Sequence, residues 1–170
     1  MNSLKITIWK QALLFILFSG ITALDAQTVT VGGSNWIANA APVTEAGNNY
    51  SGTLEASTNQ ILLSTSVSGW FNAAAVSVQY QADPIWHDDL VISVKRTGNG
   101  THTCLLCYLS GGDNYVIVPK VASTQFYIIN TNLFPANHNN TPVQIQVSGI
   151  SVTVPAAAYK ARVIFTISSI

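Results

Sequence analysis

Charge is what this sequence most lacks. Asp, Glu, Lys and Arg make up 8% of its 170 residues and the formal net charge is zero, whereas an ordinary globular chain carries roughly 25% charged residues. With no basic face there is no long-range field to attract nucleic acid or an anionic membrane, so neither is an expected partner. Cysteine occurs twice and methionine once, and two thiols alone make neither a disulfide framework nor a zinc cage. No segment beyond the N-terminus has helical periodicity, and no internal repeat recurs at spacings of roughly 20 to 50 residues, which excludes propellers and solenoids. The G-x-S-x-G elbow, the P-loop and the Rossmann glycine pattern are also missing. The chain is therefore read as non-enzymatic, with no cofactor and no metal.

What is present begins with a leader. Lys5 and Lys10 flank the start of an apolar run from Ala12 to Phe18, and small residues follow at Ala23 and Ala26. Positive region, short apolar core and small-residue boundary together describe a secretory signal peptide. Its core falls short of the ~20 residues that cross a bilayer as a helix. Cleavage is expected after Ala26, with Ala23 as the alternative, leaving residues 27–170 as one domain with no membrane span and a net charge of about −1. The expected location is outside the cytoplasm, in the periplasm or at the cell surface. A surface built from Ser, Thr, Asn and Gln has little charge repulsion to oppose association, so self-association or contact with other surface proteins is expected.

The mature segment reads as strands. Alternating apolar and polar residues mark Thr28 to Val31, Gln60 to Val67, Val76 to Tyr80, Leu90 to Lys95, Tyr115 to Val118, Thr124 to Asn130 and three successive stretches between Val143 and Ile167. A period of two places one face of each on a core. The phase slips between Val147 and Ile150, which predicts a bulge or tight corner at Gly149. Thr97-Gly98-Asn99-Gly100 reads as a hairpin turn, with Asn99-Gly100 suited to a type I′ geometry and Val94, Ile92 and Leu90 facing Leu105, Cys107 and Leu109. Residues 131–142, rich in Asn and Pro, read as a loop. Nine to eleven short strands separated by turn signals predict an all-β fold, a single immunoglobulin-like or jelly-roll-like β-sandwich.

Few residues offer chemistry. Cys104 and Cys107 sit on a predicted strand, where three extended steps would hold their Cα atoms ~10 Å apart, beyond the ~7 Å a disulfide spans. A bridge is therefore disfavoured, unless a turn or bulge falls at Leu105-Leu106. Without one, Cys107 packs beside Leu105 and Leu109 while Cys104 takes the opposite face. Trp86-His87-Asp88-Asp89 gathers an imidazole and two carboxylates, but adjacent residues point in different directions and the stretch reads as a solvated loop rim anchored by Trp86. His102 and His138 look isolated. Trp36, Trp70 and Trp86, with Tyr50 and Tyr115, are candidate stacking surfaces for a glycan, with the Asn-rich loops supplying hydrogen bonds.

Gly149 to Pro155, followed by Tyr159 to Ile167, resembles the closing segment of bacterial fimbrial subunits and spore coat protein U domains, which end with a proline, a short link, a tyrosine and an alternating strand. The resemblance implies export, an immunoglobulin-like sandwich and polymerisation by donated strands, with Thr28, Val29, Thr30 and Val31 as the exchange segment. Here the link reads Ala156-Ala157-Ala158 where the family has glycine, and the chain ends on Ile170 with no tyrosine close by. The expected function is thus a non-enzymatic, fimbria-like structural subunit. The alternative is a secreted adhesin or carbohydrate-binding module.

Overall fold

The computed structural model describes residues 27–40, 53–69, 72–132 and 134–170. The leader expected at residues 1–26, and Tyr50 and Trp70, lie outside the described residues. Eleven strands occur among the described residues: β1 (Thr28–Gly33), β2 (Leu54–Glu55), β3 (Ile61–Val67), β4 (Ala73–Ala82), β5 (Val91–Arg96), β6 (Thr101–His102), β7 (Tyr108–Ser110), β8 (Val116–Ile117), β9 (Thr124–Asn130), β10 (Ala136–Ser148) and β11 (Ala161–Ser169). Every recorded pairing is antiparallel. One sheet runs β1-β3-β10-β5-β8, with β2 and β6 also paired to β10, and the other runs β11-β4-β9-β7. The inward residues of the two sheets meet in one core, where Leu63, Val67, Val76, Val78, Val94, Tyr127, Ile129 and Val143 are fully enclosed. The fold is all-β, with two packed antiparallel sheets. Among the described residues no helix is long and apolar enough to cross a membrane.

The alternations at β3, β4, β5, β9 and β11 became strands because each offers a period-two apolar face to that core. β10 organises the rest. One of its edges holds β3 and then β2, and the other holds β6 and then β5.

Three expectations need correction. The first is the hairpin at residues 97–100. Val143 faces Arg96 while Asn139 faces Thr101, so β5 and β6 run in the same direction along one edge of β10. Residues 97–100 interrupt a continuing strand and do not reverse it. Only Gly100 has positive φ, at 64°, so Asn99-Gly100 is not a type I′ turn. A Cβ on Gly100 would also collide with the Asn139 carbonyl. On the facing strand the ladder slips between His138 and Thr141, with Asn140 at φ 55°. Two irregularities therefore lie opposite each other, and Thr97 N–H bridges them by donating to the Pro142 carbonyl at 3.0 Å.

The second correction concerns residues 131–142. Much of this expected loop belongs to β10, and its turn-forming Asn140 supplies the bulge that keeps both Ala136/His138 and Thr141/Val143 facing inward. The third concerns Gly149. The corner is there, at φ 82°, and a Cβ at this position would lie 1.8 Å from the Asp89 carbonyl oxygen. The expected strand from Ile150 to Val154 is not. Residues 149–160 form a connection between sheets, stabilised by turn bonds such as Val154 N–H to the Ser151 carbonyl at 3.1 Å.

Candidate functional site

Two places bring chemistry-bearing side chains together. The first lies where β6 crosses β10. His102 and His138 are direct cross-strand partners, so their side chains share a face, and their ring centres stand 5.4 Å apart. Thr103 N–H extends this pairing by donating to the Asn137 carbonyl at 3.2 Å, which places Cys104, two residues past His102, on the same side. Beyond it the chain turns sharply, with Leu106 at φ 61°. That turn, at the Leu105-Leu106 position, shortens the Cys104–Cys107 Cα separation to 5.7 Å and the two sulfurs are bonded. The disfavoured bridge is thus the observed one, because residues 104–107 are a bend and not three extended steps. Cys104 and Cys107 do not lie on opposite faces.

His102 Nδ1 sits 3.9 Å from Cys104 Sγ and 3.8 Å from Cys107 Sγ. The ligand-capable atoms of these three residues all lie within 4.8 Å of one another. His102 is exposed and His138 fully buried. Neither ring nitrogen of His138 has a hydrogen-bond partner in good geometry. Burial, and then the neighbouring His102, hold its pKa below the ordinary histidine value, against a smaller opposing pull from the Asn99 backbone. The imidazole is therefore neutral at pH 7, with a lone pair available. Sequence reading missed this site because the two histidines are distant in the chain. The one signal was the spacing His102-x-Cys104-x-x-Cys107.

The second place is the rim at one end of the core. Trp86 packs against Tyr80 with ring centres 5.6 Å apart and edge-on against Tyr159 at 6.4 Å, while His87 meets Tyr159 at 6.4 Å. Trp86 is half-buried, and its indole N–H is enclosed with no acceptor. Around it stand the exposed Asp88 and Lys120, paired at 2.9 Å. Lys120 hydrogen-bonds and attracts the Asp88 carboxylate, holding its pKa below the usual carboxylate range. His87 Nδ1 accepts from Asp89 N–H at 3.3 Å, a local loop bond. A depression beside this rim is lined by Gln79, Tyr80, Gln81, Ala82, Lys120 and Ile164.

The remaining sequence candidates are dispersed. Trp36 is half-buried on the segment after β1. Tyr115 lies under the Lys95 ammonium, 4.5 Å from its ring centre, and burial and then Glu55 push its pKa up to about 12. Thr28, Val29, Thr30 and Val31 pair within their own chain, as the edge strand beside β3.

No family model, no curated protein and no solved structure matches this chain.

Proposed function

We propose that the chain is a non-enzymatic, secreted or surface-associated adhesin-type module, an immunoglobulin-like or jelly-roll-like sandwich that holds a carbohydrate against its aromatic rim. The observation that carries this reading is the Trp86–Tyr159–His87 cluster, an aromatic surface with the exposed Asp88–Lys120 ion pair and Asp89 beside it. Apolar ring faces framed by hydrogen-bonding groups match the two faces of a sugar, with C–H groups against the rings and hydroxyls against the polar border. Trp86 serves as the anchor, with its inner edge fixed by Tyr80. A glycan array probed with the chain from Gln27 onward tests this. Binding should fall by tenfold or more in Tyr159→Ala and Trp86→Ala, with far-UV circular dichroism confirming that both variants fold, and less in Trp36→Ala. An array with no bound glycan overturns the reading.

A second reading, the fimbria-like subunit, rests on β1. Five of its six residues are exposed. It forms one outer edge of its sheet, and its sequence Thr-Val-Thr-Val-Gly-Gly has neither the charge nor the proline that usually protects an edge. Such a strand can leave β3 in one copy and be replaced by the β1 of another. Light scattering and electron microscopy should then show linear assemblies, and a peptide of residues 27–33 should block them. A strictly monomeric chain, unaffected by the peptide, overturns this second reading.

A further inference from the structure

We propose that the dithiol form of this chain holds one tetrahedral d10 cation, zinc(II) or copper(I), between Cys104, Cys107, His102 and His138, and that the Cys104–Cys107 disulfide and the bound ion are mutually exclusive states of the site. The donor set matches the ion class. Two thiolates and two imidazoles form a common four-coordinate environment for zinc, and soft sulfur ligands favour copper(I) as well.

For His102, Cys104 and Cys107 the distances already approach those of a coordination sphere, and His138 stands next to His102 as the fourth donor. With metal–sulfur bonds of about 2.3 Å and metal–nitrogen bonds of about 2.0 Å, tetrahedral angles place a sulfur about 3.5 Å from a nitrogen. His102 Nδ1 lies 3.9 and 3.8 Å from the two sulfurs. Two imidazoles on one such ion bring their ring centres to about 5 Å, and those of His102 and His138 are 5.4 Å apart. Opening the disulfide lets the sulfurs separate to metal-ligand spacing. The cross-strand pairing of His102 with His138 fixes both imidazoles on one face.

His138 is the independent observation. Its ring is entirely enclosed, and neither nitrogen has a hydrogen-bond partner in good geometry. A buried polar group in that condition is a net cost to the fold. Packing at an inward position of β10 does not call for an imidazole, since Ala136, Thr141 and Val143 fill the others with side chains that carry no ring nitrogen. A metal bond to one of its nitrogens would supply the missing partner.

The conversion balances simply. A dithiol reductant transfers two electrons and two protons to the disulfide and becomes a disulfide itself, leaving Cys104 and Cys107 as thiols. As each thiolate bonds the ion, its proton passes to solvent. Oxidation of the thiolates by a disulfide-forming partner reverses the sequence and releases the ion.

The test uses the purified full chain, reduced with a phosphine and then freed of it under argon. Cobalt(II) titration should give the strong visible absorption of a tetrahedral thiolate site, saturating at one equivalent, and zinc should displace it. Copper(I) competition against a chromophoric chelator then tells which ion is held more tightly. Cys104→Ser should abolish binding. His102→Asn alters an exposed side chain, so it tests the site without threatening the fold, and it should weaken binding at least tenfold, as should His138→Gln. The oxidised chain should bind no ion. The proposal is overturned if the reduced chain takes up no ion stoichiometrically, or if uptake is unchanged in both His102→Asn and His138→Gln.

Discussion

Arg96 on β5 and His138 on β10 are both buried basic side chains of the larger sheet, and the protein treats them in opposite ways. Arg96 is 6% exposed, and its guanidinium closes two loops. Its Nε donates to the Gly111 carbonyl at 3.0 Å and its Nη1 to the Gly98 carbonyl at 3.2 Å, with further bonds to the Asn99 side-chain oxygen and to Asp113. His138 makes no such bond. The saturated cation belongs to the architecture, because it fills carbonyls that a bent chain would leave unpaired. The unsatisfied imidazole contributes little to the fold, and a site is the more economical explanation for it.

Three measurements can break or sharpen this contrast. The largest effect belongs to Arg96→Met, which retains bulk but removes the guanidinium that ties Gly98, Asn99, Gly111 and Asp113 together. Urea denaturation should show a loss of about 2–4 kcal/mol. A loss under about 1 kcal/mol would mean that water replaces the guanidinium and that the clamp is dispensable. His138→Leu makes the same polar-to-apolar exchange and should be neutral or stabilising by up to about 1 kcal/mol in the oxidised chain, because no hydrogen bond of good geometry is lost. A large destabilisation there would reveal a partner for the imidazole and collapse the comparison.

The smallest effect is in pH. Because His138 binds its proton less readily when folded than when unfolded, the unfolded chain takes up more protons as acidity rises. Stability attributable to this group should be complete above its unfolded value of 6.5 and decline as pH falls below it. The groups acting on it are His102, the Asn99 backbone and Arg96. Comparing wild type with His138→Leu across that range isolates its share, since His102 and Arg96 are common to both. Equal slopes in the two proteins would remove His138 from the acid response.

Much of the fold was legible because it is local. The alternations of β3, β4, β9 and β11 state their own inward faces, and Gly149 announced its corner by a slip of phase. What was hidden depends on strands meeting across long sequence separations. Residues 97–100 carry every mark of a hairpin turn, and only the facing bulge at Asn140 and the grip of Arg96 explain why the chain runs straight on. Cys104 and Cys107 were judged as neighbours on an extended strand, whereas the end of β6 and the left-handed Leu106 fold them together. His138 was lost among asparagines because sequence periodicity cannot say which polar residue of an irregular stretch will be drawn inward by its partner strands. The contacts of Trp86 with Tyr80 and Tyr159 depend on positions on β4 and just before β11, which no local pattern around residue 86 states.

β10 has a consequence for how the molecule is made. It pairs with β2, β3, β5 and β6, all of which precede it in the chain, so the larger sheet has no centre until residues 136–148 have been synthesised. Before then β3 and β5 have no strand between them, and their pairing edges stand open. Completion of that sheet therefore waits for the final third of the chain and depends on distant contacts, each with its own loop-closure entropy. During that interval the polypeptide is a collection of open edges, which an escort protein could hold in an unfolded state or a neighbouring chain could capture.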